Sequence, residues 1–154
     1  MKKILLVIIG LIMGIAAADA QAPAPINWRI TLKMTSATEG VVNMRVIIND
    51  GWHLYGTTMP VGGPKATSFS FDGSQGVKFV GTPAPSVKPL EMHDAMFDAD
   101  VTYWEGRVTF TQKFKITDPA KAVVKGSVSF MGCNDETCSP PKTQQFVLKI
   151  PSKK

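Results

Sequence analysis

RVTFTQKFKI, residues 107–116, alternates: Val108, Phe110, Phe114 and Ile116 fall on one side of an extended chain, and Arg107, Thr109, Thr111, Lys113 and Lys115 on the other. A repeat of two residues is the mark of a strand with one face on a core and one in water. WRITLKM (28–34) repeats the pattern with Trp28, Ile30, Leu32 and Met34, and VVNMRVII (41–48) with Val42, Met44, Val46 and Ile48. WHLY (52–55), TSFSF (67–71), VKFV (77–80), VKGSVSFM (124–131) and QQFVLKI (144–150) complete a set of about eight short strands. NDG (49–51), DGSQG (72–76) and TDPAKA (117–122) punctuate them as turns. From Gln21 onward nothing sustains a helical stripe for three turns. Strands with one apolar face each need a second sheet to cover it, so the pattern predicts an all-β, immunoglobulin-like β-sandwich.

The beginning of the chain reads differently. Lys2 and Lys3 precede an apolar run from Ile4 to Ala18, and Ala18-Asp19-Ala20 has the small-x-small form of a cleavage site. This predicts a signal peptide over residues 1–20 and one exported domain over 21–154, free of a membrane span because no later run approaches the roughly 18 apolar residues a spanning helix needs. Removing 20 of the 154 residues leaves 134, enough for a single core, and lowers the formal net charge from +5 to +4. The lysines are scattered and no basic cluster alternates with aromatic residues, which argues against a nucleic-acid partner. Exported compartments oxidise thiols, so Cys133 and Cys138 are expected to rest as a disulfide.

Two segments exceed what a sandwich requires. GTTMPVGGPKA (56–66) is rich in glycine and proline. GTPAPSVKPLEMHDAMFDADVT (81–102) reads as a 22-residue loop, a length that in a compact domain signals function or disorder, and it carries Met92, His93, Met96 and Phe97. The cysteines lie in MGCNDETCSPP (131–141), the broad tip of a hairpin formed by the last two strands, with Pro140 and Pro141 stiffening its exit. A bridge of this spacing either staples the hairpin or opens and closes as the protein works. As a staple it contributes only about 2 kcal/mol by the chain-entropy estimate, and it cannot join the two sheets across the core. Small loops also tend to leave a disulfide easier to reduce. Spacing alone leaves both readings open.

GCNDETCSPP (132–141), together with GWHLY (51–55), the GGP turn (62–64) and TSFSF (67–71), resembles the N-terminal periplasmic domain of the DsbD-type thiol:disulfide interchange proteins, and the likeness runs from about Trp28 to Ile150. The resemblance implies an immunoglobulin-like fold and a Cys133–Cys138 dithiol that takes electrons from a membrane-embedded thiol reductase and passes them to thioredoxin-like exported acceptors. It implies periplasmic location, a monomer, and a redox-active disulfide with no bound cofactor or metal. Cys138 would form the mixed disulfide with partners and Cys133 would resolve it. Counting back from YWEGRVTF (103–110) puts Phe97, with Met96 beside it, at the tip of a cap loop over the sulfurs, and Tyr55 and His53 in the wall of the site. The chain departs from the family pattern at Ala95 and Met96, where the family has acidic residues directly before the cap phenylalanine and this chain has Asp94 one step earlier, at His53 in place of a tyrosine, at Ser139 in place of an aromatic residue, and in a cysteine spacing one residue shorter.

Asp135 and Glu136, between the cysteines, should disfavour a thiolate and slow the reduced form toward small oxidants, with Lys142 offsetting them at a docked partner. His53 is either a proton relay, since imidazole titrates near working pH, or an exposed strand residue. Two rival functions stand beside the exchange reading. Cys133, Cys138, His93, Met92 and Met96 form a soft ligand set suited to a Cu(I) carrier. A non-catalytic binding module stapled by a structural bridge is the other.

Overall fold

The structure, a computed structural model, describes residues 24–151, so the expected signal peptide and its cleavage point lie outside the described residues. Eleven strands follow one another: β1 Ile26–Met34, β2 Glu39–Ile48, β3 His53–Tyr55, β4 Ser68–Ser70, β5 Val77–Pro85, β6 Leu90–Asp94, β7 Ala99–Trp104, β8 Arg107–Ile116, β9 Val123–Phe130, β10 Gly132–Cys133 and β11 Lys142–Lys149. All pairings between them are antiparallel, in three sheets of order β1-β2-β8-β5, β10-β3-β7-β6 and β11-β9-β4.

The faces read from the alternation are the faces the fold uses. Val42, Met44, Val46 and Ile48 of β2 and Val108, Phe110 and Phe114 of β8 are all buried, and they meet Val124, Val128 and Phe130 of β9 and Phe146 of β11. Trp28 sits among Phe69, Phe110 and Phe130, each ring centroid 5.8 Å away, and Trp104 meets Phe110 edge-on at 5.0 Å. These rings come from all three sheets, and such pairs contribute about 0.5–1.5 kcal/mol each beyond their area. Gln112, on the apolar face of β8, is fully buried yet satisfied: its Nε2 donates to the carbonyls of Val80, Gly81 and Lys113. Two of those carbonyls lie where the β5–β8 register shifts between Val80 and Ala84, so the side chain fills a β-bulge.

The expected 22-residue loop is not a loop. Residues 81–85 continue β5, and 90–94 and 99–104 form a hairpin of β6 and β7, with Ala95–Asp98 as its tip. Alternation missed β6 and the end of β5 because both are edge strands, whereas β7 is an inner strand of only six residues. β6 buries only Asp94, and Pro83 and Pro85 are tolerated in β5 where an edge or a bulge requires no ladder donor. The count of about eight strands rises to eleven mainly through this hairpin and the two-residue β10.

Candidate functional site

A second, smaller apolar cluster is built on the β10-β3-β7-β6 sheet from Tyr55, Val101, Met131 and Cys133, with Met59, Met92, Phe97, Ala99 and Cys138 packed against it. Cys133 enters it through β10, whose register sets Cys133 opposite His53 and Gly132 opposite Leu54. Only glycine fits at 132, since a Cβ there would strike Ile26 and come within 2.7 Å of the His53 carbonyl. The chain then reverses. Asn134 Oδ1 accepts the N–H groups of Glu136 and Thr137, the Asn134 N–H donates to the Thr137 carbonyl, and the Ser139 N–H and hydroxyl both reach the Gly132 carbonyl. Within this turn Cys133 and Cys138 are joined by a disulfide, their Cα atoms 4.0 Å apart. Pro140 and Pro141 follow, exposed, before β11.

The two sulfurs differ in their surroundings. Cys133 is 1% exposed, whereas Cys138 is half-buried. Over Cys138 lies the β6–β7 tip, with Met96 Sδ 3.1 Å from its Sγ. A bridged sulfur carries no proton, so this is a direct sulfur–sulfur contact. Phe97 packs edge-on against Tyr55 at 6.0 Å, in the same cluster as Cys133.

Asp94 organises this region, and the sequence registered it only as a departure. It is buried at 7% exposure; its Oδ2 accepts the Tyr55 hydroxyl at 2.6 Å, and its Oδ1 accepts the Met96 N–H at 2.9 Å and the Phe97 N–H at 3.3 Å. One carboxylate thus ties the β6–β7 tip to Tyr55 of β3. Burial pushes that carboxyl up, but the bond from Tyr55, the two backbone N–H groups and nearby His53 outweigh it and hold Asp94 below its usual range. Burial, then the bond to Asp94 and its charge, push the Tyr55 phenol well above its ordinary value, so Tyr55 stays a donor. The partner is 39 residues away in sequence, a separation no local pattern reports.

His53 stacks edge-on between Tyr55 at 5.0 Å and Tyr103 at 5.5 Å, and its Nε2 is buried without a partner. Burial lowers its pKa, against opposing pulls from Asp94, Glu105 and Asp135, which favours the neutral ring. A cleft of about 440 Å³ opens beside it, lined among others by Asp94, Met96, Tyr103, Cys133 and Asp135. His93 also lines this cleft, but its ring is engaged: its Nδ1 lies 2.9 Å from Asp100 and its Nε2 3.3 Å from Asp98, a residue held at φ 48° in the tip. Bonding to Asp100, against a small desolvation effect, raises its pKa. The sequence-derived candidates Cys133, Cys138, Met96, Phe97, Tyr55 and His53 therefore share one site, and His93 is engaged with the hairpin's own carboxylates.

The site of this all-β sandwich is thus a short-turn disulfide carried by the β10-β3-β7-β6 sheet and covered by a hairpin tip, and the family match places the domain in the thiol:disulfide interchange class. Residues 18–150 match the N-terminal domain of the thiol:disulfide interchange protein DsbD, and the chain belongs to that family. No curated protein sequence matches it. Among solved structures it is similar to the N-terminal periplasmic domain of ScsB from Proteus mirabilis, with 18% identity, a TM-score of 0.58, and coverage of 80% of this chain and 45% of that one. It is also similar to the DsbD N-terminal domain of Neisseria meningitidis in its reduced form (20% identity, TM-score 0.53, 80% of this chain and 86% of that one). A third is the Neisseria meningitidis complex of the DsbD and PilB N-terminal domains (18% identity, TM-score 0.53, 84% and 87%). The chain spans less than half of the ScsB chain it matches. At these identities the likeness bears on the fold, which is the immunoglobulin-like sandwich the strand pattern predicts.

Proposed function

We propose that this protein is an exported thiol:disulfide interchange protein that carries electrons through Cys133 and Cys138 to disulfides of other exported proteins. The signal-peptide pattern, the family and the half-covered bridge support this reading, with residues 21–154 as one periplasmic, monomeric domain. The observation that carries it is the unequal placement of the sulfurs: one buried, the other half-buried under a tip held by a single carboxylate. Among the described residues no helix is long and apolar enough to cross a membrane. The electron donor in this reading is a membrane-embedded thiol reductase.

In this reading a donor dithiol reduces the bridge by two electrons. The Cys138 thiolate then attacks an acceptor disulfide, forming a mixed disulfide and releasing one acceptor thiolate. Cys133 attacks Cys138 Sγ, re-forming the bridge and releasing the acceptor as a dithiol. Met96 and Phe97 form the cap that a docked, thioredoxin-like acceptor displaces; a similar structure, the complex between the DsbD and PilB N-terminal domains from Neisseria meningitidis, supports docking of a protein partner on this kind of domain. Tyr55 and His53 form the wall, the neutral His53 ring being able to take a proton from a thiol beside it. Pro140 and Pro141 keep the exit of the turn stiff.

Cys133→Ala tests the assignment. The lone Cys138 should accumulate mixed disulfides with exported proteins, visible as adducts that reductant dissolves and that Cys133→Ala/Cys138→Ala lacks. An absence of adducts, or adducts equally abundant on a lone Cys133, contradicts it.

A further inference from the structure

We propose that the reduced protein binds Cu(I) through three sulfurs, Cys133 Sγ, Cys138 Sγ and Met96 Sδ, so that the same residues hold either a disulfide or a copper ion. Met96 Sδ lies 3.1 Å from Cys138 Sγ, and Cys138 Sγ is bonded to Cys133 Sγ. Two thiolates and a thioether therefore converge on a volume the size of one coordination sphere. Met96 is 51% exposed although methionine ordinarily fills apolar gaps. Its backbone N–H, bound to Asp94, fixes the tip that presents it.

The donor set decides the metal. Among the described residues no three His, Cys, Asp or Glu side chains gather as a metal-holding group. Of the two histidines, His93 has both ring nitrogens at Asp100 and Asp98, and the His53 ring is held edge-on between Tyr55 and Tyr103. The Asp94 carboxylate is committed to three hydrogen bonds. The groups in direct contact are sulfurs, thiolate and thioether once the bridge is reduced, the soft ligands that select Cu(I). Met92, packed on the same cluster, adds a further thioether nearby.

The chemistry balances. A dithiol donor gives two electrons and two protons to the bridge, yielding two thiols and an oxidised donor disulfide. Cu(I) then displaces both thiol protons, with no change in its own oxidation state. Copper occupancy consumes the Cys138 thiolate, so bound metal and disulfide exchange exclude each other. The proposal rests on the exchange reading only in needing a bridge that a reductant can open.

The test is an anaerobic titration of the reduced protein, freed of reductant, with Cu(I) in competition with bicinchoninate, alongside a thiol count. One equivalent should bind to the reduced chain and none to the oxidised chain. Met96→Leu, at a half-exposed position, should weaken binding by at least about tenfold, the low end of what losing even an outer-shell partner costs a metal site. X-ray absorption should show sulfur scatterers without nitrogen. A reduced chain that does not compete, a Met96→Leu affinity equal to the parent's, or nitrogen in the first shell overturns the proposal. A thiol count showing a bridge that resists reduction overturns it together with the exchange function, whereas an opened bridge without copper overturns this inference alone.

Discussion

The cluster around Trp28 and the cluster around Cys133 are two apolar interiors of unlike construction. The first is aromatic and aliphatic, draws on all three sheets, and is closed by many apolar contacts. The second is rich in sulfur, has a half-exposed methionine in its lid, and is closed by the bonds one carboxylate makes to Tyr55, Met96 and Phe97. Distributed packing resists local opening, because no single contact governs it. A lid fixed through one group opens when that group is lost or displaced, and local openings of this kind cost less than global unfolding.

The sharpest way to break this contrast is to damage each side. Phe110→Ala removes a fully buried ring that meets Trp28, Phe69 and Trp104, and should destabilise the whole domain by about 3–5 kcal/mol in urea unfolding. Asp94→Ala leaves the buried Tyr55 hydroxyl without its acceptor and should cost about 1–3 kcal/mol. Its signature should be local: faster amide hydrogen exchange at Met96 and Phe97, with β2 and β8 unchanged. Uniform loss of protection would mean the two clusters open as one unit.

Phe97→Ala should act more gently still. Losing one edge-on contact, worth about 1 kcal/mol, should speed the reaction of the reduced protein with a small aromatic disulfide by up to about tenfold. An unchanged rate would remove Phe97 from the cap. The smallest effects should come from pH. Asp94, held below its ordinary 3.8, stabilises the closed tip above that value, and this is lost as pH falls through its folded pKa. His93, raised above 6.5, contributes below that value and ceases to as pH rises through its folded pKa. Exchange at the tip amides, corrected for intrinsic rates, should therefore rise in acid and, more weakly because His93 is exposed, as the pH climbs through the folded pKa of His93.

The same contrast explains what the sequence disclosed. The Trp28 cluster was legible because β2 and β8 are central strands whose side chains alternate strictly between core and water. The bridge and its neighbours Tyr55, His53, Met96 and Phe97 were legible through motif and resemblance. The hairpin carrying the cap was not. Its strand β6 lies at a sheet edge and buries only Asp94, so periodicity fades there. Nor was the role of Asp94 legible, because an aspartate before a tip looks like any solvated turn residue until the fold brings Tyr55 to it. Gln112 escaped notice for a related reason: its burial makes sense only once the bulge in β5 supplies the carbonyls.

Equilibrating the folded protein with dithiol buffers of graded potential, and counting the thiols at each, tests the central claim most directly. A bridge that works as an electron carrier should be half-reduced well above about −300 mV, the region below which structural disulfides lie. A Cys133–Cys138 bond that stays closed until below that value would be a staple, and the exchange function would be contradicted.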